Sequence, residues 1–283
     1  MRICRFNGDR IGLIEDGQVR DVSGVLSQLP ACRYPYPSHD VFIEALPRLK
    51  DEMARIAKNS PALHLDSVRL ESPVANPGKL VAAPVNYASH IAEATADAAT
   101  FTAEQLRRIH EVGLFLKANS SMCGAADGIR LTQPERRTDH EVELAVVIGK
   151  RGSRIAAEDA LSHVAGYCIG LDITMRGSEE RSLRKSCDTY SVLGPWLTTP
   201  DEIADVGNLD FDLSVNCELR QQSNTTHLVL DVPRLISFAS AFYTLHPGDV
   251  ILTGTPSGVG PIRPGDSVRA RVAGLGELVL KVS

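Results

Sequence analysis

The chain is built around the stretch Asp139-His140-Glu141-Val142-Glu143-Leu144-Ala145-Val146-Val147-Ile148-Gly149. It is rich in β-branched and apolar residues, has no internal proline and ends at a glycine, which predicts a β-strand. Side chains alternate between the faces of a strand, so Glu141 and Glu143 point the same way, with Cα atoms about 6.6 Å apart. The opposite face is apolar and predicts a core: Val142, Leu144, Val146 and Ile148.

Two neighbouring carboxylates repel each other unless one is protonated or a cation lies between them. The simpler interpretation of a Glu-x-Glu pair is a solvent-facing strand that carries two surface glutamates. Here the acidic face becomes apolar at Ala145 and Val147, and this change favours the floor of a pocket over an open surface.

A third acid, Asp172, ends the next predicted strand, residues 166–172. Carboxylate oxygens without a Cys/His cluster are typical ligands of hard ions such as Mg²⁺, Mn²⁺ or Ca²⁺ rather than of zinc. The sequence therefore predicts a divalent-ion site at Glu141, Glu143 and Asp172, with coordination positions left for water or substrate.

The composition limits the class of protein. The 283 residues allow one large domain or two, and a hydrophobic content of 43% is ample for a core. The net charge of -5 argues against nucleic acid or an anionic membrane as a partner. The six cysteines form no C-x-x-C motif, the N-terminus has no apolar signal region, and no apolar run approaches the ~18 residues of a membrane span. A reduced, cytoplasmic protein is the simplest prediction.

We predict a small N-terminal α/β domain over residues 1–72 and a larger, mainly β domain over residues 73–283. The boundary is placed where Pro73, Pro77 and Gly78 interrupt regular secondary structure. The overall class is therefore α+β, with most of the β structure in the second domain.

Local patterns predict the other elements. Residues 1–22 have hairpin turn signals and predict an antiparallel meander. Residues 40–57 have apolar side chains at helical spacing, which predicts an amphipathic helix. Strands are predicted at 209–219 and 226–231, and a helix at 232–243.

Several polar residues are candidates for chemistry. His90 and Glu93 would be neighbours on one helix face, where the carboxylate would orient the imidazole as a general base for water; a helix-surface pair is the alternative. Arg176 could bind a substrate carboxylate bidentately, and Lys185 could stabilise a developing oxyanion or enolate. Either cation could instead form a surface ion pair.

A glycine-rich segment, residues 254–260, follows a predicted strand. It lacks the lysine of a P-loop and precedes no helix pattern, which argues against nucleotide binding. Its backbone N–H groups and Thr255 could hold a small carboxylate, or the glycines could serve a tight turn.

Several segments in one order over residues 80–283 resemble the fumarylacetoacetate hydrolase family. They are Asn86-Tyr87-x-x-His90-x-x-Glu93, Ser120-Ser121-x-Cys123-Gly124, Asp139-His140-Glu141-Val142-Glu143-Leu144, Asp172-x-Thr174-x-Arg176, Lys185-Ser186-Cys187-Asp188-Thr189, Gly194-Pro195-Trp196-Leu197 and Gly254-Thr255-Pro256-x-Gly258.

The resemblance implies a mixed β-sandwich or roll, usually a homodimer, with a small N-terminal domain. It implies that Glu141, Glu143 and Asp172 bind Mg²⁺ or Mn²⁺. It further implies that His90 and Glu93 activate water on a lid over the substrate.

The same resemblance assigns roles near the reacting carbonyl. Lys185 matches the lysine that stabilises charge there. Substrate contacts are expected at Tyr87, Arg176, Glu179 and Thr255.

Two positions depart from the family pattern. Glu179 stands where many members have Gln, and Gly177 stands where Asp is common. An ionised Glu cannot donate a hydrogen bond and would repel an oxyanion. Glu179 is therefore protonated, or faces away from the substrate, or the chemistry differs.

The leading hypothesis is a metal-dependent hydrolase that cleaves a C–C bond in a 2,4-diketo acid, such as an acylpyruvate or fumarylpyruvate from aromatic catabolism. The alternative is an isomerase or decarboxylase that acts on a related 2-oxo or 2-hydroxydienoic acid through the same enolate chemistry. A binding protein on a degenerate scaffold is a third hypothesis, which the complete set of ligands, dyad and lysine argues against. The expected partner is a small 2-oxo acid.

Overall fold

The structure, a computed structural model, describes residues 1–88 and 109–283. Its helices are α1 Val41–Ala57, α2 Ile109–Val112, α3 Arg181–Arg184 and α4 Val232–Phe242. Its strands are β1 Arg2–Phe6, β2 Arg10–Glu15, β3 Gln18–Asp21, β4 Ala62–His64, β5 Leu70–Glu71, β6 Leu80–Ala82, β7 Phe115–Lys117, β8 Met122–Cys123, β9 Thr138–His140, β10 Val142–Ile148, β11 Val164–Asp172, β12 Thr174–Met175, β13 Ser191–Thr198, β14 Asp210–Val215, β15 Glu218–Asn224, β16 Val250–Leu252, β17 Gly260–Ile262, β18 Ser267–Val272 and β19 Gly276–Lys281. Within these residues, no helix combines the length and the apolar character needed to cross a membrane.

Most strands form one large sheet, in the order β4-β3-β2-β1-β13-β11-β10-β16-β6-β7, with β5 beside β1 and β8 beside β13. Two smaller sheets have the orders β12-β9-β17 and β15-β14-β18-β19. Most pairs are antiparallel, whereas β16 pairs with β6 and β13 with β8 in parallel. The predicted class, mainly β with mixed sheets, is confirmed.

The central stretch is not the single strand that the sequence predicts. It divides into β9 and β10, with Glu141 between them. The reason is a change of sheet: β9 pairs with β12 and β17, whereas β10 pairs with β11 and β16. The prediction of one continuous strand was therefore wrong at Glu141, which lies where the chain passes from the small sheet to the large one.

Strand β10 is buried along its whole length. Side chains of one face belong to the main hydrophobic core: Val142, Leu144, Val146 and Ile148. On the other face, Ala145 and Val147 belong to a second core that includes Leu46 and Met53 of α1. The glutamate-bearing face therefore continues into packed apolar side chains rather than into solvent.

The N-terminal segment extends the large sheet. Strands β1 to β3 form the predicted antiparallel meander, and β1 also pairs with β13, where Ile3 lies opposite Leu197. Because this segment shares both a sheet and a core with the rest of the chain, the division into residues 1–72 and 73–283 stays a prediction.

Helix α1 is fixed at its start by Asp40. One carboxylate oxygen accepts hydrogen bonds from the N–H groups of Phe42, at 3.0 Å, and Ile43, at 3.1 Å. The other oxygen accepts from the N–H groups of Ala75 and Asn76, both at 3.0 Å. This one side chain therefore caps the helix and joins it to the chain that leads into the rest of the fold.

The predicted elements of the C-terminal part are mostly present. The helix predicted at 232–243 is α4. The strand predicted at 209–219 contains β14 but was wrong at its end, because residues 216–217 form a turn of positive φ that leads into the antiparallel partner β15. The strand predicted at 226–231 was wrong. A 3₁₀ helix, Thr225–His227, occupies its start, because the Asn224 side chain accepts a hydrogen bond from the N–H of Thr226 at 2.8 Å and favours a turn.

Candidate metal centre

Three buried carboxylates meet at the end of β10. Ligand oxygens of Glu141, Glu143 and Asp172 all lie within 4.8 Å of one another. Strands β10 and β11 bring them together, since Glu143 lies opposite Gly170 and the N–H of Asp172 donates to the Glu141 carbonyl at 2.9 Å. The structure therefore places the three predicted ligands in one cluster.

Glu143 has the least favourable surroundings for a charge. Burial raises the pKa of its carboxyl well above the usual range, and the charges of Asp172 and Glu141 raise it further. The Gly254 N–H donates to its Oε2 at 2.7 Å. A divalent cation among the three carboxylates would relieve this repulsion, and an all-oxygen donor set suits Mg²⁺ or Mn²⁺. The residues therefore fit a hard divalent ion.

Lys185 lies inside this cluster. Its Nζ donates to Glu141 Oε2 at 2.8 Å and to Asp172 Oδ2 at 2.6 Å. It also donates to Thr174 Oγ1 at 2.6 Å, and lies 5.5 Å from the centroid of the Phe115 ring. The end of α3 thus delivers the predicted lysine to two of the candidate metal ligands.

A second lysine was missed by the sequence analysis. Lys117 forms a buried ion pair with Asp172 Oδ1 and donates to the Tyr190 carbonyl at 2.6 Å. Burial lowers the pKa of its ammonium group, and the charge of Asp172 opposes this effect. The sequence contained one signal for this position: Lys117 follows Phe115 by two residues in a short apolar strand, so both side chains lie on the same face.

Arg176 is engaged with carboxylates beside the cluster. Its Nε donates to Asp139 Oδ2 at 2.7 Å, and its Nη2 donates to Glu141 Oε1 at 2.9 Å. Asp139 also accepts from Arg137 Nε at 2.9 Å and is fully buried. Asp139, which the sequence analysis gave no role, therefore orients the arginine that holds Glu141, and the predicted contact of Arg176 with substrate stays a prediction.

Glu179 lies against an arginine that the sequence analysis did not consider. Arg136 donates to Glu179 Oε1 and Oε2, each at 2.8 Å. This pairing lowers the pKa of the Glu179 carboxyl to about 2. In this structure the side chain is therefore ionised and directed at Arg136.

Thr255 is fixed by its neighbours in the turn after β16. Its hydroxyl donates to the Val142 carbonyl at 2.8 Å and accepts from Gln221 Nε2 at 2.8 Å. Gln221 Oε1 in turn accepts from the Val142 N–H at 3.1 Å. Because a hydroxyl has one proton to donate, Thr255 can donate to a substrate carboxylate only through its backbone N–H unless the hydroxyl turns.

Tyr87 is completely buried beside the cluster. Its ring packs edge-on against Phe211, with centroids 6.0 Å apart, and its hydroxyl has no partner among the described residues. Burial raises the pKa of the phenol, and the charge of Glu143 raises it further, so the hydroxyl is a neutral donor.

The other two predicted catalytic residues, His90 and Glu93, fall in residues 89–108, outside the described part of the chain. The water-activating dyad therefore stays a prediction.

Comparisons with known proteins show which family the chain resembles. A family model described as "Fumarylacetoacetate (FAA) hydrolase C-terminal" matches residues 79–283. The chain is 51% identical over 284 residues to a maleylpyruvate hydrolase of Aquipseudomonas alcaligenes, which covers 100% of this chain and 99% of that protein. It is 39% identical over 240 residues to the mitochondrial oxaloacetate tautomerase FAHD2B of Bos taurus, covering 80% of this chain and 73% of that protein.

A solved structure is also similar over the whole chain. The maleylpyruvate hydrolase from Sphingobium sp. SYK-6, crystallised with manganese(II) and pyruvate, superposes with a TM-score of 0.85 at 37% identity, covering 100% of this chain and 98% of that one. With the match to the family model, these similarities show that the chain belongs to the fumarylacetoacetate hydrolase family.

Proposed function

We propose that the protein is a divalent-metal-dependent hydrolase that cleaves a C–C bond of an acylpyruvate, with maleylpyruvate as the first substrate to test. The observation that carries the proposal is the buried cluster of Glu141, Glu143 and Asp172 with Lys185 inside it. The maleylpyruvate hydrolase relative supports the substrate class, and the similar structure with manganese(II) and pyruvate supports a site for a 2-oxo acid.

Glu141, Glu143 and Asp172 would hold the ion, Mg²⁺ or Mn²⁺. When bound, such an ion supplies Lewis-acid polarisation of the substrate's keto group. The lysine and arginine side chains that contact the carboxylates keep these ligands in place, so the site is preorganised by the protein.

In the reaction, water adds to the distal carbonyl carbon, and the bond to the neighbouring methylene carbon breaks. The electron pair of that bond passes to the departing pyruvate enolate, which takes up a proton, and the acyl part leaves as a carboxylate. Lys185, whose three N–H groups already have acceptors in Glu141, Asp172 and Thr174, would exchange one of these hydrogen bonds for one to the oxygen that becomes negative on the attacked carbon. His90 and Glu93 would take the proton from water, and Tyr87, Arg176 and Thr255 would position the substrate.

The proposal includes a homodimer in the cytoplasm. Cys4, Cys123 and Cys168 lie buried in the hydrophobic cores, where a thiol packs as a small apolar side chain, and this packing supports a reducing compartment. Light scattering after gel filtration tests the assembly, and a mass near twice that of the 30.6 kDa chain is expected.

The deciding experiment is product analysis by mass spectrometry. Purified protein is incubated with Mn²⁺ or Mg²⁺ and maleylpyruvate, and hydrolysis predicts pyruvate plus a second acid, with one water gained in total. An unchanged mass would indicate tautomerisation or isomerisation, and loss of CO₂ would indicate decarboxylation. Glu143→Ala is the inactive variant, and Glu52→Ala, at a half-buried position of α1, is the control.

A further inference from the structure

Arg136 connects a carboxylate to the backbone beside the metal centre. Its guanidinium group donates to both oxygens of Glu179 at 2.8 Å, and its Nη2 also donates to the Arg176 carbonyl at 2.8 Å. The ion pair therefore holds the backbone at Arg176, the residue whose side chain donates to Glu141.

This ion pair fills the space that a side chain at residue 177 would occupy. A Cβ atom built on Gly177 would lie 2.1 Å from Arg136 Nη2 and 2.3 Å from Glu179 Oε2. The backbone of Gly177 is not among the positive-φ glycines, so an L-residue would fit its conformation. A side chain at residue 177 would therefore have to displace the ends of the Arg136 and Glu179 side chains, so glycine leaves the space that this ion pair uses.

A second guanidinium holds the same loop from within the fold. Buried Arg184 donates from Nε to the Glu179 carbonyl at 2.7 Å and from Nη1 to the Met175 carbonyl at 3.1 Å. Arg184 thus holds the carbonyl groups at both ends of residues 175–179, and Arg136 holds the Arg176 carbonyl and the Glu179 side chain. Between these points Arg176 extends to Asp139 and Glu141.

We propose that Glu179 is a positioning residue. With Arg136 it fixes the loop that holds Arg176 against Glu141, and it does not itself contact the substrate. Gly177 is the third member of this unit, because it leaves the room that the ion pair occupies. The two departures from the family pattern, at residues 177 and 179, are then parts of one arrangement. The kinetic consequences rest on the proposed hydrolase function, whereas the binding consequences do not.

The test uses Glu179→Ala, Arg136→Met and the double variant, each loaded with Mn²⁺. The probe is oxalate, which mimics the enolate of pyruvate, and its binding is measured by calorimetry. We expect each single variant to weaken oxalate binding and to raise KM for maleylpyruvate, both on the order of tenfold. The reason is that a misplaced Arg176 loop misaligns the site. The double variant should be no worse than either single variant, since both remove the same ion pair.

Gly177→Ala provides an independent test. In the wild-type background its Cβ displaces the ion pair, so we expect the same loss of oxalate affinity as for Arg136→Met. In the Arg136→Met/Glu179→Ala background the same substitution should have no further effect. The control is Glu52→Ala, which removes another bidentate pair, Glu52–Arg55, with both contacts at 2.7 Å on α1, and which should change neither oxalate affinity nor KM.

Two results would overturn the proposal. If Glu179→Ala abolishes turnover while Arg136→Met has no effect, Glu179 acts directly on the substrate. If the variants lower only the melting temperature and leave oxalate affinity and KM unchanged, the pair is a surface ion pair without a role in the site. Should the wild type prove inactive on maleylpyruvate, the oxalate titrations still decide the role of Glu179.

Discussion

Lys117 is paired with Asp172 on the carboxylate oxygen opposite to the one that Lys185 contacts. Asp172 therefore lies between two ammonium groups before any ion binds, and it cannot rotate without breaking one of the two contacts. A pair as buried as this one is costly to break by removing one partner, because the other charge stays in the interior.

Lys117→Met should lower the free energy of unfolding of the metal-free protein by about 3–5 kcal/mol, the usual cost of breaking a buried ion pair. Mn²⁺ should then raise the melting temperature more in the variant than in the wild type, because the ion replaces a missing positive charge beside Asp172. Urea denaturation and thermal melts with and without Mn²⁺ measure both effects.

The matched control for this prediction is Lys79→Met. Lys79 forms an ion pair with buried Asp249, in contacts that do not involve the candidate metal ligands. This variant should lose stability, yet gain no more from Mn²⁺ than the wild type does. Equal responses of the two lysine variants to Mn²⁺ would contradict the role assigned to Lys117.

Glu143→Gln should separate metal binding from folding. The buried carboxyl already favours its neutral form in the absence of an ion, and an amide oxygen can still accept the hydrogen bond from Gly254. We expect the stability of the metal-free variant to stay within about 1 kcal/mol of the wild type, since a neutral amide avoids the cost of burying a charge. The stabilisation by Mn²⁺ should disappear. A melting temperature that still rises with Mn²⁺ would argue against Glu143 as a ligand.

Lys185→Met tests the role of the lysine in turnover. Loss of a donor at the oxygen that becomes negative should lower kcat on the order of 10²-fold or more. Binding of Mn²⁺ should persist, since the three carboxylates remain. Steady-state kinetics and a Mn²⁺ titration give the two quantities, and an unchanged kcat would exclude Lys185 from the chemistry.

The contribution of the Glu179–Arg136 ion pair to stability should change with pH only in acid. The pKa of the Glu179 carboxyl is lowered from an ordinary 4.5 to about 2 by the hydrogen bonds from Arg136. A lowered carboxyl pKa contributes stability that is fully present above the unfolded-state pKa and is lost as the pH falls toward the folded-state pKa. The stability difference between wild type and Glu179→Gln should therefore be constant above about pH 5.5 and decrease between about pH 4.5 and pH 2. A difference that changes between pH 6 and pH 8 would contradict the assignment.

Five of the six cysteines should react with thiol reagents in two classes. Cys32 and Cys217 are exposed, and we expect them to react first with Ellman's reagent in the native protein. Cys4, Cys123 and Cys168 are buried, and burial raises the pKa of each thiol to about 12, so they should react only after unfolding. Mass mapping of the labelled peptides reads out the order, and early labelling of Cys168 would disagree with the packing of β11.

The sequence predicted those parts of the site that depend on local pattern. Alternation along a strand put Glu141 and Glu143 on one face, and the end of the following strand supplied Asp172. The break at Glu141 could not be predicted, because it depends on β9 pairing with strands from other parts of the chain. A local pattern carries no information about which sheet a strand joins.

The cations around the carboxylates could not be paired from the sequence for the same reason. Lys117 lies 55 residues before Asp172, and Arg136 lies 43 residues before Glu179. In a sequence each is a lone lysine or arginine, for which a surface position is the ordinary expectation. Only the folded structure shows that these side chains meet acids near the candidate metal ligands.

The side chains of Ala145 and Val147, packed toward Leu46 and Met53 of α1, have a practical consequence for protein engineering. The segment that the family model recognises begins at residue 79, after α1. A fragment that begins at residue 79 would lack α1. It would expose the face of β10 that carries Ala145 and Val147 and would leave apolar side chains in water. We expect such a fragment to aggregate or to bind the divalent ion more weakly. The substrate range is therefore better altered at the loops around Arg176 and Thr255 than by exchanging the residues before residue 79.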